Sequence, residues 1–164
     1  MNKTNQNKVD WVEVKSPKGK FHLFRRHLSL ALGAKKDVGT WGGGHPFDVE
    51  MTRIPPGATN WPYHAHAAQW ELYIILNGCG VVRTPEGECD IGPGDSFVCP
   101  PGEPHLLRNS GNEDLVYYVI ADNPALEVGN YPDSNKFIVK QYLNGNFLRN
   151  VFKRSDAEYY QGEE

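Results

Sequence analysis

The chain has 164 residues, enough to bury one hydrophobic core without cross-links, so we expect a single domain over residues 1–164. Its formal net charge of −3 argues against a nucleic-acid partner, because phosphate binding needs a concentrated basic surface. No apolar run approaches the length that spans a membrane. The basic doublets Arg25-Arg26 and Lys35-Lys36 are interpreted as solvated charges on a segment before the main fold.

The cysteines and the N-terminal residues indicate the cellular compartment. Cys79, Cys89 and Cys99 are an odd number and are not arranged as a disulfide framework. The polar N-terminal residues lack the apolar segment of a secretory signal. We therefore expect reduced thiols and a cytoplasmic location.

In the first third of the chain, apolar patterning is broken by glycines. After a polar tail, the pattern predicts a strand at 11–14, a short helix within 21–32 that ends at Gly33, a flexible loop at 40–46 and a strand at 47–54.

The remainder of the chain alternates short β-rich segments with turns. Strands are predicted at 71–76, 81–84, 88–91, 96–99, 115–120 and 136–142. Asn77-Gly78 indicates a hairpin turn after the first of these strands. The 17 glycines and 12 prolines fit many short strands, so the predicted fold class is all-β.

Four residues in this region have the spacing of one metal site: His64, His66, Glu71 and His105. On a strand, His64 and His66 point to the same face. The four residues before Glu71 allow a turn and a reversal into an antiparallel strand, and His105 begins a strand after the turn at 100–102. Three imidazoles and one carboxylate suit a divalent first-row metal with positions left open for substrate.

These segments resemble the two motifs of the cupin superfamily, which read G-x5-H-x-H-x3,4-E-x6-G and G-x5-P-x-G-x2-H-x3-N. The second motif matches at Gly94, Pro100, Gly102, His105 and Asn109. The first motif, closed by Gly78, departs once, with six residues rather than five between Gly57 and His64. The resemblance implies a double-stranded β-helix, or jelly-roll barrel, a divalent transition metal ion (Mn, Fe, Ni or Zn) and a small-molecule substrate.

The barrel is expected at roughly residues 45–122, with an N-terminal arm at 1–44 and a C-terminal extension at 123–164. Apolar residues in these arms, including Trp11 and Phe137, need a surface to cover. We expect both arms to pack on the barrel of their own or a partner subunit, giving a homodimer.

Two residues are candidates for catalytic work. Tyr73 shares the face of Glu71, where it is either a general acid or hydrogen-bond donor or a barrel-filling aromatic. Arg53 ends a strand that runs toward the first motif, where it either pairs with a substrate carboxylate or phosphate or is a solvated rim charge. His45, after three glycines, is either a lid residue or an exposed loop histidine.

The predicted function is a metal-dependent enzyme on a small polar substrate, with a preference for sugar-phosphate isomerase chemistry. The preference rests on Arg53, Arg83 and Arg108 as cations for an anionic group. A dioxygenase or oxidase is the alternative within enzymes. A non-catalytic cupin that binds a small molecule is the alternative outside them, because a fold and a ligand set do not by themselves assign a reaction.

Overall fold

The computed structural model describes residues 1–36 and 38–163, and in them strands far outnumber helices. The strands are β1 (Val12–Lys15), β2 (His22–His27), β3 (Phe47–Ile54), β4 (Ala65–His66), β5 (Glu71–Asn77), β6 (Gly80–Thr84), β7 (Gly87–Ile91), β8 (Ser96–Cys99), β9 (Leu106–Asn109), β10 (Leu115–Asp122), β11 (Leu126–Tyr131), β12 (Lys136–Leu143) and β13 (Asn146–Lys153). The helix α1 (Leu28–Ala31) and 3₁₀ turns at Gln6–Lys8, Thr40–Gly42 and Pro132–Ser134 complete the regular structure. Within these described residues, no helix is both long and apolar enough to cross a bilayer. The predicted all-β class is confirmed.

The strands form three antiparallel sheets that curl around one interior. The largest has the order β1-β2-β3-β10-β5-β8, the second β13-β12-β11-β4 and the third β7-β6-β9. Half of the neighbouring pairs join strands that are distant in sequence, namely β3-β10, β10-β5, β5-β8, β11-β4 and β6-β9, which is the strand exchange expected of a jelly roll. The predicted jelly-roll barrel is thus confirmed.

The hydrophobic core follows the period-2 alternation of the strands. Leu23, Ile54, Leu107, Leu115 and Tyr117 are fully buried and pack in one cluster. Burying one such side chain stabilises the fold by about 1.5–3 kcal/mol. The core therefore holds the sheets in register beneath the cavity described below.

Asn109, the last residue of the second motif, is a buried polar tie between elements. Its amide nitrogen donates to the carbonyls of Ile54 and Glu113, both at 2.7 Å, and its oxygen accepts from the N–H of Gly111 at 2.9 Å. Each bond satisfies a group that would otherwise be costly to bury. Asn109 thus joins the ends of β3 and β9 to the turn before β10.

The structure shows that the predicted hairpin at Asn77-Gly78 is wrong. β5 pairs with β10 and β8, whereas β6 pairs with β7 and β9, so the chain passes here from one sheet to another. Gly78 has φ +78, and a Cβ on it would lie 2.4 Å from the carbonyl oxygen of Asp114. The glycine is needed for this close approach and not for a two-residue hairpin.

The short helix predicted within 21–32 is present as α1, but the strand that precedes it was not predicted. His22–His27 is a strand that pairs with both β1 and β3, and only Leu28–Ala31 is helical. Two flanking strands offer β2 a complete set of backbone hydrogen bonds, and this tertiary pairing decides the conformation of a segment whose own preference is weak. As a result, Leu23, Arg25 and His27 all point to the same side of the sheet.

Strands on either side of residues 45–122 take part in the barrel's own sheets. β1 and β2 extend the sheet that contains β3, and β11 pairs with β4. Leu23 and Ile138, one from each flank, are buried. The hairpin of β12 and β13 behaves differently, because β13 is the edge of its sheet and Val151 is 62% exposed there.

Candidate metal centre

The centre is built around a backbone pair between His64 and His105. The N–H of His64 donates to the carbonyl of His105 at 3.2 Å, and the N–H of His105 donates to the carbonyl of His64 at 2.8 Å. Residues in such a pair project their side chains to the same face of the sheet. The two motifs are therefore joined at their histidines.

His66 and Glu71 are presented by the turn between β4 and β5. The carboxylate of Glu127 accepts hydrogen bonds from the N–H groups of Ala67, Ala68 and Gln69 at 2.8, 3.1 and 3.0 Å. On the other side of the turn, the N–H of Gly102 donates to the carbonyl of His66 at 2.7 Å. Gly102 has φ +87, a left-handed conformation that glycine adopts without strain.

These elements bring the four predicted ligands together. The ligand atoms of His64, His66 and Glu71 all lie within 4.8 Å of one another. His105 joins them through Nε2, which is 2.8 Å from Oε2 of Glu71. The three histidines are buried, with His105 only 1% exposed, and Glu71 is partly buried.

The rings of His64 and His105 are oriented by their Nδ1 atoms. Nδ1 of His64 lies 2.8 Å from the carbonyl of Pro62, and Nδ1 of His105 lies 3.2 Å from that of Glu103. A carbonyl accepts and does not donate, so each Nδ1 carries a proton and leaves Nε2 available as a ligand atom. Tyr131 stacks on His64 at an interplanar angle of 19° and limits its rotation.

The residues present fit a divalent metal ion. Nε2 of His66 is buried, has no hydrogen-bond partner and lies 3.7 Å from Oε2 of Glu71. A buried nitrogen without a partner is unfavourable, and a metal ion is the partner that an imidazole in such a cluster prefers. The spread of ligand atoms is close to that of donors around one ion, because each donor lies about 2.0–2.2 Å from the metal.

Without an ion, the cluster is an acid–base network with displaced pKa values. Burial lowers the pKa of His64 to about 3, so this imidazole is neutral. Burial opposes ionisation of Glu71, but the contact with His105 and the other histidines outweighs it and lowers the pKa of the carboxyl. Burial also opposes the charged form of His105, but contacts with Cys99 and Glu71 raise its pKa to about 10.

A cavity of about 410 Å³ opens onto the centre. Its wall includes His64, His66 and Glu71, while His105 lies behind them. Its other carboxylates are Asp48, Glu50 and Glu127, its cations are Arg25, Lys36, Lys140 and Arg149, and its aromatics include Trp41, Trp61, Tyr117 and Tyr131. The volume and the mixture of groups suit a small polar molecule.

Of the two predicted catalytic residues, the structure brings only Tyr73 to this cavity. The Tyr73 hydroxyl donates to Oε2 of Glu71 at 2.9 Å and lies 3.3 Å from Nε2 of His105. Burial raises the pKa of Tyr73 well above its ordinary value, so the hydroxyl keeps its proton and acts as a donor. The ring also belongs to the core, so both interpretations made from the sequence describe part of its environment.

Arg53 does not line the cavity. Its guanidinium pairs with Asp114 at 2.8 Å and stacks on the rings of Trp11 and Phe24. We therefore assign Arg53 no role in the centre. His45 is likewise absent from the cavity wall, and Arg83 and Arg108 pair with Asp133 and Glu88.

Sequence reasoning missed a second polar group in the cavity. Oε1 of Glu50 lies 2.8 Å from Nδ1 of His27, and Oε2 lies 3.3 Å from Nη1 of Arg25. Interpreting Arg25 as a solvated charge was wrong, because this side chain lines the cavity beside Trp61. The available signal was strand alternation: Arg25 and His27 share the inward side of Leu23. No strand was predicted for these residues, so the alternation was not applied to them.

Part of the chain is similar in sequence to known proteins. Residues 50–121 match the family model for the cupin domain, Cupin_2. The chain is 34% identical to an oxalate-binding protein of Thermotoga maritima over 68 residues, 42% of this chain and 55% of that protein. It is 35% identical to a glucose-6-phosphate isomerase of Thermococcus kodakarensis over 63 residues, 35% of this chain and 33% of that protein. The chain thus spans about half or less of the length of these curated relatives.

Solved structures extend the likeness beyond the matched core. A candidate sugar phosphate isomerase from Acidithiobacillus ferrooxidans has a TM-score of 0.72 and 24% identity, covering 92% of this chain and 90% of that chain. This likeness shows a shared fold. The match of residues 50–121, together with the jelly-roll strand order, shows that the chain contains a cupin domain.

Proposed function

We propose that the protein is a metal-dependent enzyme that acts on a small, anionic, oxygen-rich substrate by isomerase-type proton transfer. The observation that carries the proposal is the convergence of His64, His66 and Glu71, with His105 against Glu71, at a 410 Å³ cavity. The cavity is also lined by cations and by Glu50, which forms an acid–base pair with His27. A centre that only bound a ligand would not require the acid–base pair. The names of two relatives support this chemical class, since oxalate and glucose 6-phosphate are both small anions rich in oxygen.

The four residues would hold one divalent first-row ion through three Nε2 atoms and a carboxylate oxygen. Such an ion supplies Lewis acidity, which polarises a substrate carbonyl and makes the neighbouring C–H more acidic. The Tyr73 hydroxyl keeps the Glu71 carboxylate in place through its 2.9 Å hydrogen bond. The remaining tasks, substrate binding and proton transfer, fall to other residues of the cavity.

Lys140 and Arg149 are suited to bind the anionic part of the substrate. They are direct cross-strand partners on β12 and β13, and both line the cavity. Like charges directly opposite each other destabilise a sheet. Among the described residues neither has an ion-pair partner or a hydrogen bond, so a substrate anion between them would remove an existing repulsion.

Glu50 is suited to move a proton. It lies in the same cross-strand row as Tyr73, with Val119 between them, which places the backbones of Glu50 and Tyr73 about 10 Å apart along one sheet. An isomerase must take a proton from one carbon and return it to the next, and a carboxylate with a histidine at 2.8 Å can accept it and share it. Glu127 is unsuited, because its oxygens are engaged with backbone N–H groups.

Two alternatives remain to be separated from this proposal. A dioxygenase or oxidase would use the same ligand set, and a binding protein would use the cavity without turnover. Metal-loaded protein should therefore be incubated with sugar phosphates, hydroxy acids and diketones while oxygen and product are measured. We expect isomerised product without oxygen consumption. Oxygen uptake would favour the first alternative, and tight binding without product would favour the second.

The first prediction concerns the ligands. His66→Ala should lower the metal content from about one ion per chain to a small fraction of that, because three donors hold the ion much less tightly than four. Plasma emission spectrometry on purified protein measures it. His45→Ala is the matched control, since His45 lies outside the cavity wall and its replacement should leave the metal content unchanged. Equal metal content in both variants would refute the assignment.

The second prediction concerns protons. His105 has a pKa of about 10 in the metal-free protein and must be neutral as a ligand, so metal binding near neutral pH should release its proton. His64, with a pKa of about 3, should release none. Metal affinity should therefore weaken as pH falls and strengthen as pH rises toward the pKa of His105. Calorimetric titrations in two buffers of different ionisation enthalpy should give a net release of about one proton or more. Heats that do not depend on the buffer would contradict this.

The third prediction concerns the substrate anion. Arg149→Ala should weaken the binding of inorganic phosphate to the metal-loaded protein about tenfold, because a hydrogen bond to a charged group contributes about 1.5–3 kcal/mol. Metal content should stay the same. Arg83→Ala is the control, because Arg83 pairs with Asp133 outside the cavity. The two variants binding phosphate alike would argue against an anion site at β12–β13.

The fourth prediction concerns assembly. We propose that a second copy of the chain covers the exposed hairpin of β12 and β13, whose accessible apolar side chains are Tyr142, Leu143, Phe147, Leu148, Val151 and Phe152. Sedimentation at micromolar concentration should show a dimer, and Val151→Glu should produce monomers. Val98→Glu, at an exposed valine on β8, should leave the dimer intact. A wild-type monomer would contradict the proposal.

A further inference from the structure

Glu127 belongs to β11, after the segment that carries the predicted ligands, yet its carboxylate lies against the metal centre. It is 5% exposed, so its charge is removed from water. Burial opposes its ionisation, but His66 and the N–H groups of Ala67 and Ala68 lower its pKa. A buried carboxylate that remains charged needs partners, and all of those found here lie on the turn that presents His66 and Glu71.

The same carboxylate faces the ring of His66. Oε1 of Glu127 lies 3.4 Å from Nδ1 of His66, which is an ion-pair distance and longer than a good hydrogen bond. Lys140 is opposite Glu127 in the sheet register, but the two do not form an ion pair within 4.0 Å. The charge of Glu127 is therefore directed at His66 and the turn.

His66 differs in this respect from the other two histidines of the centre. Nδ1 of His64 and Nδ1 of His105 face the neutral carbonyls of Pro62 and Glu103, whereas Nδ1 of His66 faces a carboxylate. A carboxylate at Nδ1 fixes the tautomer and the ring orientation and makes the opposite nitrogen a better donor to a metal.

We propose that Glu127 is a positioning residue for the metal centre: it holds His66 as the Nδ1–H tautomer, with Nε2 turned toward Glu71. The proposal rests on the proposed function, because it assumes that the centre binds a metal. It also assigns a part of the centre to β11, which pairs with β4 through Gly129 and His66.

A purely structural role is the competing explanation, since Glu127 also clamps a turn. Asp122 offers the matched comparison. Its Oδ1 accepts the N–H of Trp70 at 2.8 Å, so it is a second carboxylate that clamps the same turn, and no contact joins it to His66. Loss of either carboxylate removes a clamp, but only loss of Glu127 removes the partner of His66.

The experiment compares Glu127→Ala and Asp122→Ala with the wild type, using cobalt(II) as the probe. We expect the cobalt(II) affinity to fall about 10–100-fold in Glu127→Ala, the loss typical for an outer partner of a ligand histidine. In Asp122→Ala the change should stay within about threefold. Equal losses in the two variants would show that Glu127 acts only through the turn and would overturn the proposal.

A second readout does not require a metal. In the metal-free wild type, the ¹⁵N shifts of His66 should indicate a protonated Nδ1 and a bare Nε2, and Glu127→Ala should move them toward the other tautomer. Asp122→Ala should leave them unchanged. Unchanged His66 shifts in Glu127→Ala would overturn the proposal.

Glu127→Gln keeps the test decisive if Glu127→Ala does not fold. Its amide oxygen can still accept from the turn, but the negative charge beside His66 is gone, so the same shift change and affinity loss are expected. If wild-type protein binds no cobalt(II), the proposed function fails in the direct titration, whereas the ¹⁵N shifts still decide separately whether Glu127 fixes the His66 ring.

Discussion

The backbones of His64 and His105 exchange two hydrogen bonds, of 3.2 and 2.8 Å, and these join the two motifs of the chain. His64 and His105 lie outside the named strands, so the rest of the centre is arranged around an isolated β-bridge of one residue pair. It fixes the direction in which both imidazoles point. The hydrogen bond from the N–H of Gly102 to the carbonyl of His66 fixes the position of the third imidazole, that of His66, relative to them. Without this pairing, the segments that carry His64 and His105 would belong to separate sheets, and no backbone contact would hold their side chains together.

The centre buries several titratable groups away from water. The hydrogen bonds within it replace only part of those that water would provide. Glu71 and His105 form a close pair and Tyr73 adds a donor, but Nε2 of His66 is left without a partner. A partly satisfied buried network is less favourable than an apolar core. The arrangement that suits the site to a cation therefore lowers the stability of this region in the metal-free protein. Metal binding would restore that stability by mass action.

The clustering of the four ligand candidates and the all-β class could be predicted because both depend on local geometry. Alternation along a strand places His64 with His66, and turn residues limit where the strands can reverse. The position of Arg25 was missed because no strand was predicted for residues 22–27, and the pairing with β1 and β3 is what makes this segment a strand. Glu127 gave no local signal, because its partners on the turn are 58 to 60 residues earlier in the chain. Such contacts depend on sheet order, which strand patterns alone do not define.

The ligand candidates and the cations of the cavity come from different segments of the chain, and this affects how substrate preference could change in evolution. The four ligand candidates lie between residues 64 and 105, whereas the cavity's cations, among the described residues, lie at 25, 36, 140 and 149. Substitutions in β2 or in the β12–β13 hairpin could therefore change which molecule is selected while the reactive centre stays intact. Relatives that share the inner segment need not share a substrate, and comparing their flanking strands would be the more informative guide to what each one accepts.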